Sequence, residues 1–114
     1  MLNKKNRISN RRLIEKLHKK GDVYKNKHFI FKSLLSSESA SKFAVIVSGK
    51  VIPKAVDRNA IKRKISESIR ANLPLLKPAT VALIIVKHGA IEAEYEDLNK
   101  SVIDFFNQQN LHAK

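Results

Sequence analysis

The residues able to do chemistry are sparse and poorly spaced for it. The histidines His18, His28, His88 and His112 are scattered, and no two stand at the HxxxH or HExxH interval. Zinc sites are built from such intervals or from paired cysteines, and the chain has no Cys. No metal ligands are therefore assigned. The absence of Cys also removes a disulfide framework and a thiolate nucleophile. Glu92, Glu94, Glu96 and Asp97 cluster, but at the entrance to a helix, where carboxylates complement the helix dipole. There is no GxSxG, P-loop or GxGxxG, and Gly21, Gly49 and Gly89 are isolated turn signals. No catalytic residues are assigned to the protein.

The basic residues are organised differently. The segment AVDRNAIKRKISESIR (55–70) carries Arg58, Lys62, Arg63, Lys64 and Arg70, opposed by Asp57 and Glu67 alone. Asn59, Arg63, Ser66 and Arg70 recur at i, i+4, i+7 and i+11, one polar stripe of a helix. A surface helix often carries Lys and Arg only to solubilise an apolar face. Here Arg outnumbers the carboxylates within reach, and Arg7, Arg11 and Arg12 add to it. Planar guanidinium groups without carboxylate partners can fork onto phosphate oxygens, which favours nucleic acid. The aromatic residues Tyr24, Phe29 and Phe31 are candidates for base stacking. For Phe29 and Phe31 the better reading is the core face of a strand.

Composition supports the polyanion reading. The net charge is +13, with 19 basic and 5 acidic side chains in residues 1–70 against 4 and 5 in residues 71–114. Charge gathered in one portion of a fold gives a one-signed potential over part of its surface. At 114 residues and 43% hydrophobic, the chain suits a single domain over 1–114, with 1–7 a basic arm and 111–114 a flexible C-terminal tail. No run approaches the ~18 apolar residues of a membrane span. MLNKKNRISNRR has no apolar h-region, so the expectation is a cytoplasmic protein without membrane partners.

The elements that must position these residues follow from periodicity. A helix is predicted over about 10–20, with Ser9 as N-cap, Leu13, Ile14 and Leu17 as its stripe and Gly21 at its end. KHFIFKSLL (27–35) reads as a strand, SSESAS (36–41) as a turn, and KFAVIVS (42–48) as a second strand. The connection GKVIPK (49–54) leads to a helix over about 55–73, apolar at Ile61, Ile65, Ile69, Leu73 and Leu76. Pro74 and Pro78 end it. TVALIIVK (80–87) lacks polar alternation, as in a strand covered on both faces. A last helix spans about 95–110, with Leu98, Val102, Phe105 and Phe106 on one side. The order α-β-β-α-β-α gives a two-layer α/β sandwich with a βαβ unit over 43–87.

With these residues in place, a family comes into view. KAVDRNAIKRKISESIR resembles the signature of the bacterial ribonuclease P protein component, AVxRNRxKRxxRE, whose helix opens with an RNR element. NRISNRRLIEKLHKKG resembles that family's first helix, HFIFKSL its first strand, and FAVIVSGKVIPKAV its VGxxVSKKxGxAV approach to the signature. The resemblance covers about 5–107. It departs at Ala60 (the last Arg of RNR), Ser48-Gly49-Lys50 (SKK), Ala44 and Pro53 (Gly), Ser66-Glu67 (the RE pair), and Leu13 and Leu17 (often Phe).

The resemblance implies a fold similar to the second domain of ribosomal protein S5. It also implies a left-handed βαβ crossover, against the right-handed rule for parallel crossovers. It implies the protein subunit of a ribonucleoprotein that removes 5′ leaders from precursor tRNA, with an RNA subunit as catalyst holding the Mg²⁺ ions. Carried over, Arg58, Asn59, Lys62 and Arg63 would touch the catalytic RNA, with Lys54, Lys64 and Arg70 extending that surface. Arg7, Arg11, Arg12, Lys32 and Lys50 would line a cleft for the precursor leader between the first helix and the sheet. Three other classes remain beside it. They are a ribosomal or other structural RNA-binding protein, a helix-turn-helix DNA binder and, least supported, a stand-alone nuclease.

Overall fold

A computed structural model describes residues 2–36 and 40–112, with His112 described by its backbone alone. In chain order the elements are α1 (Arg11–Lys20), β1 (Asp22–Lys25), β2 (Phe29–Leu35), β3 (Lys42–Ile46), α2 (Ala55–Asn72), β4 (Thr80–Val86) and α3 (Tyr95–His112). The four strands form one mixed sheet in the order β1-β2-β4-β3. β2 lies antiparallel to both β1 and β4, while β3 runs parallel to β4 and reaches it through α2. β4 is thus central, and its unbroken apolar run is buried along nearly its whole length.

The principal core fills one face of the sheet. Phe29 and Phe31 of β2, Phe43 of β3 and Ala82, Ile84 and Val86 of β4 pack against Ile61, Ile65 and Ile69 of α2 and Leu98, Val102, Phe105 and Phe106 of α3. Phe31 and Phe105 stack with ring centroids 4.1 Å apart. Phe29 and Phe31 are fully buried, which settles them as core rather than stacking platforms, and Tyr24 packs on Phe31 and Phe105. The α2–α3 contact includes a polar seam. Ser68 Oγ and Asn72 Nδ2 both donate to Asn99 Oδ1, at 2.6 and 2.7 Å. A helix face that admits Ser68 and Asn72 among isoleucines is accommodated because each polar group finds a partner.

The opposite face of the sheet carries α1, whose fully buried Leu17 packs on Val81 and Leu83 with Leu13, Ile14, Leu34, Ala44 and Ile46 around it. The expected two layers are present, and α1 adds a partial third. β1 is also additional to the expected order. Its four residues are mostly exposed, so no apolar alternation announces it. It is returned to β2 by Asn26, whose Oδ1 accepts from the backbone N–H of His28 and Phe29 at 3.0 Å each.

Four local expectations change. The N-cap of α1 is Asn10, accepting from Arg12 N at 2.9 Å, rather than Ser9. Residues 1–7 are expected to form an arm with little structure of their own, but 2–7, with Ile8 after them, are held against β3. Leu2 and Asn6 are buried, Asn6 Nδ2 donates to Ser41 O, Arg7 bridges Phe43, and Ile8 N donates to Phe43 O. SSESAS does not join neighbouring strands, since β4 lies between β2 and β3, and its residues 37–39 fall outside the described residues. At the other end α3 runs through Leu111 to His112, residues expected to begin a flexible tail, and 113–114 lie outside the described residues.

A candidate nucleic-acid interface

α2 turns its apolar side inward and its basic side out. Ile61, Ile65, Ser68, Ile69 and Asn72 are buried. At about 100° per residue, Asn59, Arg63 and Arg70 project from the opposite side, and all three are exposed. Val56, 78% exposed, belongs to the same outward face. Ser66, expected in that stripe, is buried on its margin. Lys62 and Lys64 flank the stripe, and Lys54 precedes the helix, all exposed.

Arg58 behaves differently from its neighbours. Its Nη1 donates to the carbonyl oxygens of Ile52 at 2.9 Å and Pro53 at 2.6 Å, and the side chain is only partly exposed. Its first task is therefore to lock the 49–54 connection onto the start of α2. No sequence pattern announces this, because the partners are backbone carbonyls.

The second group of candidates lies about the α1 face of the sheet. α1 crosses this face toward one end, where Leu13 and Lys16 line a groove with Leu34, Leu35, Ser36, Lys42 and Val81. Its other flank, carrying Arg11, Ile14 and His18 at i, i+3 and i+7, looks over the remainder. There the register aligns Lys25, Ile30, Ile85 and Ile46 in one row across all four strands, the three isoleucines only half-buried. Lys32, half-buried on the same face, stands in the adjacent row. The result is an apolar floor with cations at its borders.

The candidate residues separate around this floor. Lys32 borders it, Arg11 is exposed on the flank of α1 nearer to it, and Lys50 is exposed in the turn that follows β3 at the same end of the sheet. Arg12 lies about 140° around the helix from Leu17 and points away from the sheet. Arg7 sits at the β3 edge. Sequence reasoning passed over Lys25 and His18. Lys25 was hidden with β1, whereas His18 was legible from its interval of seven from Arg11. Among the described residues, no three His, Asp or Glu side chains are placed to hold a metal ion. Among the described residues no helix is long and apolar enough to cross a membrane.

A family model described as Ribonuclease P matches residues 2–110. The chain belongs to the ribonuclease P protein family. It is similar to the ribonuclease P protein component of Rippkaea orientalis, 31% identical over 100 residues that cover 83% of this chain and 79% of the relative. That of Bacillus velezensis is 27% identical over 113 residues, covering 99% and 97%. The fold is shared with the RNase P protein from Thermotoga maritima (TM-score 0.82, 19% identity, 90% and 96% covered). It is shared also with that of Staphylococcus aureus (TM-score 0.76, 24% identity, 87% and 90% covered). The family's role is that of an RNA-binding subunit of the ribonucleoprotein that processes tRNA 5′ ends, and the chain takes that role with its family.

Proposed function

We propose that the chain docks on the catalytic RNA of ribonuclease P through the outward face of α2 and holds the precursor 5′ leader over the uncovered part of the sheet. The observation that carries this is the division of α2 into an isoleucine side sunk in the core and an Asn59–Arg63–Arg70 side open to solvent. Lys54, Lys62 and Lys64 broaden that side, and guanidinium groups bind phosphate by paired donors. Phosphate contacts set position without reading sequence.

The leader is single-stranded, so its bases are unpaired and can be splayed onto apolar surface. Ile30, Ile46 and Ile85 offer that surface, while Arg11, Lys25, Lys32 and Lys50 meet the phosphates. The 47–54 connection runs from this floor to α2, and Arg58 fixes it, so the two surfaces keep a constant relation. The reacting groups and the Mg²⁺ ions are the RNA's, and the protein contributes placement. The site of action is the cytoplasm, with precursor tRNA.

Binding of precursors with and without a leader tests the reading. The protein–RNA complex should bind a leader-bearing precursor more tightly than a tRNA lacking the leader, and Lys32→Ala should shrink that difference. A difference that the free RNA already shows in full would contradict it.

A further inference from the structure

A groove of about 400 Å³ opens beside the basic face of α2, and of its lining residues Lys64 alone belongs to the docking surface proposed above. Its floor is made of Ile52, Ile61, Ala90 and Leu98, all buried. Asp57, Ala60 and Lys64, at i, i+3 and i+7 along one flank of α2, form one lip. The facing walls come from the 51–53 connection and the 90–93 turn. The first wall is braced, because Arg58 bonds the carbonyls of two groove residues, Ile52 and Pro53. The second is held by Ala90 N donating to Lys87 O and Ala93 N to Ala90 O.

We infer that this groove receives an unstacked guanine of the RNA on which α2 docks, with Asp57 accepting from the base edge. The inference rests on the docking proposed above. Aliphatic walls such as Val51, Pro53 and Ile91 suit the face of a nucleobase splayed out of its stack. Asp57 complements the helix dipole in the first turn of α2 and also lines the groove, where as an anion it would not take a phosphate. A carboxylate only accepts hydrogen bonds, through two oxygens. Guanine alone among the RNA bases presents two adjacent donors, N1–H and N2–H, in parallel to such a pair. Uracil would set its two carbonyl oxygens beside the same anion. Lys64, on the same lip, can meet the phosphate of the inserted nucleotide. Ala60 makes entry possible, because its methyl group leaves the mouth open where a long side chain would lie across it.

Kethoxal, which reacts at N1 and N2 of unpaired guanine, is the probe, applied to the reconstituted protein–RNA complex. Wild-type protein should protect one unpaired guanine, and that guanine should become reactive with Ala60→Leu, which closes the mouth, and with Asp57→Asn, which removes one of two acceptors. Each variant should weaken RNA binding roughly tenfold, the scale of a bidentate base contact. Position 60 is exposed and Leu is a strong helix former, so the fold should persist, and melting curves verify it. Unchanged kethoxal patterns and affinities in both variants, with Arg63→Ala still weakening binding, would overturn the groove assignment alone. No effect from Arg63→Ala either would overturn the docking reading with it.

Discussion

His28 Nδ1 and Ser101 Oγ share a hydrogen bond 2.6 Å long, and it ties the β1–β2 turn to α3. His28 is buried, and burial followed by the nearby charge of Lys27 lowers its pKa from 6.5, with Asp97 opposing. The unfolded chain therefore takes up a proton at a pH where the folded chain does not. Stability conferred by neutral His28 is complete above about 6.5 and is lost as pH falls through the folded pKa. Urea titrations between pH 7.5 and 5 should show stability dropping toward acid, with a shallower drop in His28→Gln. An identical pH profile for the variant would remove His28 as the cause.

Arg58 and Arg63 lie five residues apart and should fail differently. Arg63→Ala should flatten the slope of log K against log salt for RNA binding by ~0.7–0.9, the value per phosphate, without changing the melting temperature. Arg58→Ala unties Ile52 and Pro53 and should lower stability by about 1–2 kcal/mol, the net worth of two hydrogen bonds that water can partly replace. Salt titrations beside urea melts separate the two outcomes.

Gly21 closes α1 with an ordinary extended backbone, φ −66° and ψ 144°, so its lack of a side chain answers to space and not to a left-handed turn. A Cβ there would stand 2.5 Å from the Leu17 carbonyl oxygen and 3.2 Å from Ser33 N. Gly21→Ala should destabilise by ~1–3 kcal/mol through overpacking. Leu17→Ala, at a fully buried site under α1, should cost about 2–5 kcal/mol. Denaturant midpoints measure both.

Lys32 stands half-buried on the leader floor, away from α2. Lys32→Ala should reduce the salt slope for a leader-bearing precursor by ~0.7, the single-strand value, and leave docking on the catalytic RNA unchanged. Loss of both would place Lys32 in the RNA-docking surface instead.

The long elements were legible because their periodicity is set by burial. The isoleucines of α2 recur on the helical period, and β4 shows the continuous apolar run of a central strand. β1 was not legible, since an exposed four-residue edge strand is fixed by its pairing with β2 and not by its own pattern. The basic stripe could be read from spacing alone. The role of Arg58 could not, because it depends on two carbonyls that only the folded 49–54 connection presents. Nor could the anchoring of residues 2–8, which rests on the open edge of β3.

The most direct test is single-turnover cleavage of a precursor tRNA by the catalytic RNA at low magnesium, with wild-type protein or with Lys62→Ala/Arg63→Ala/Arg70→Ala. Wild-type protein should stimulate removal of the 5′ leader, and the triple variant, still folded, should need at least tenfold more protein for the same rate. Equal stimulation by both at limiting concentration, or cleavage by the protein without RNA, would contradict docking through α2 and the assignment of catalysis to the RNA.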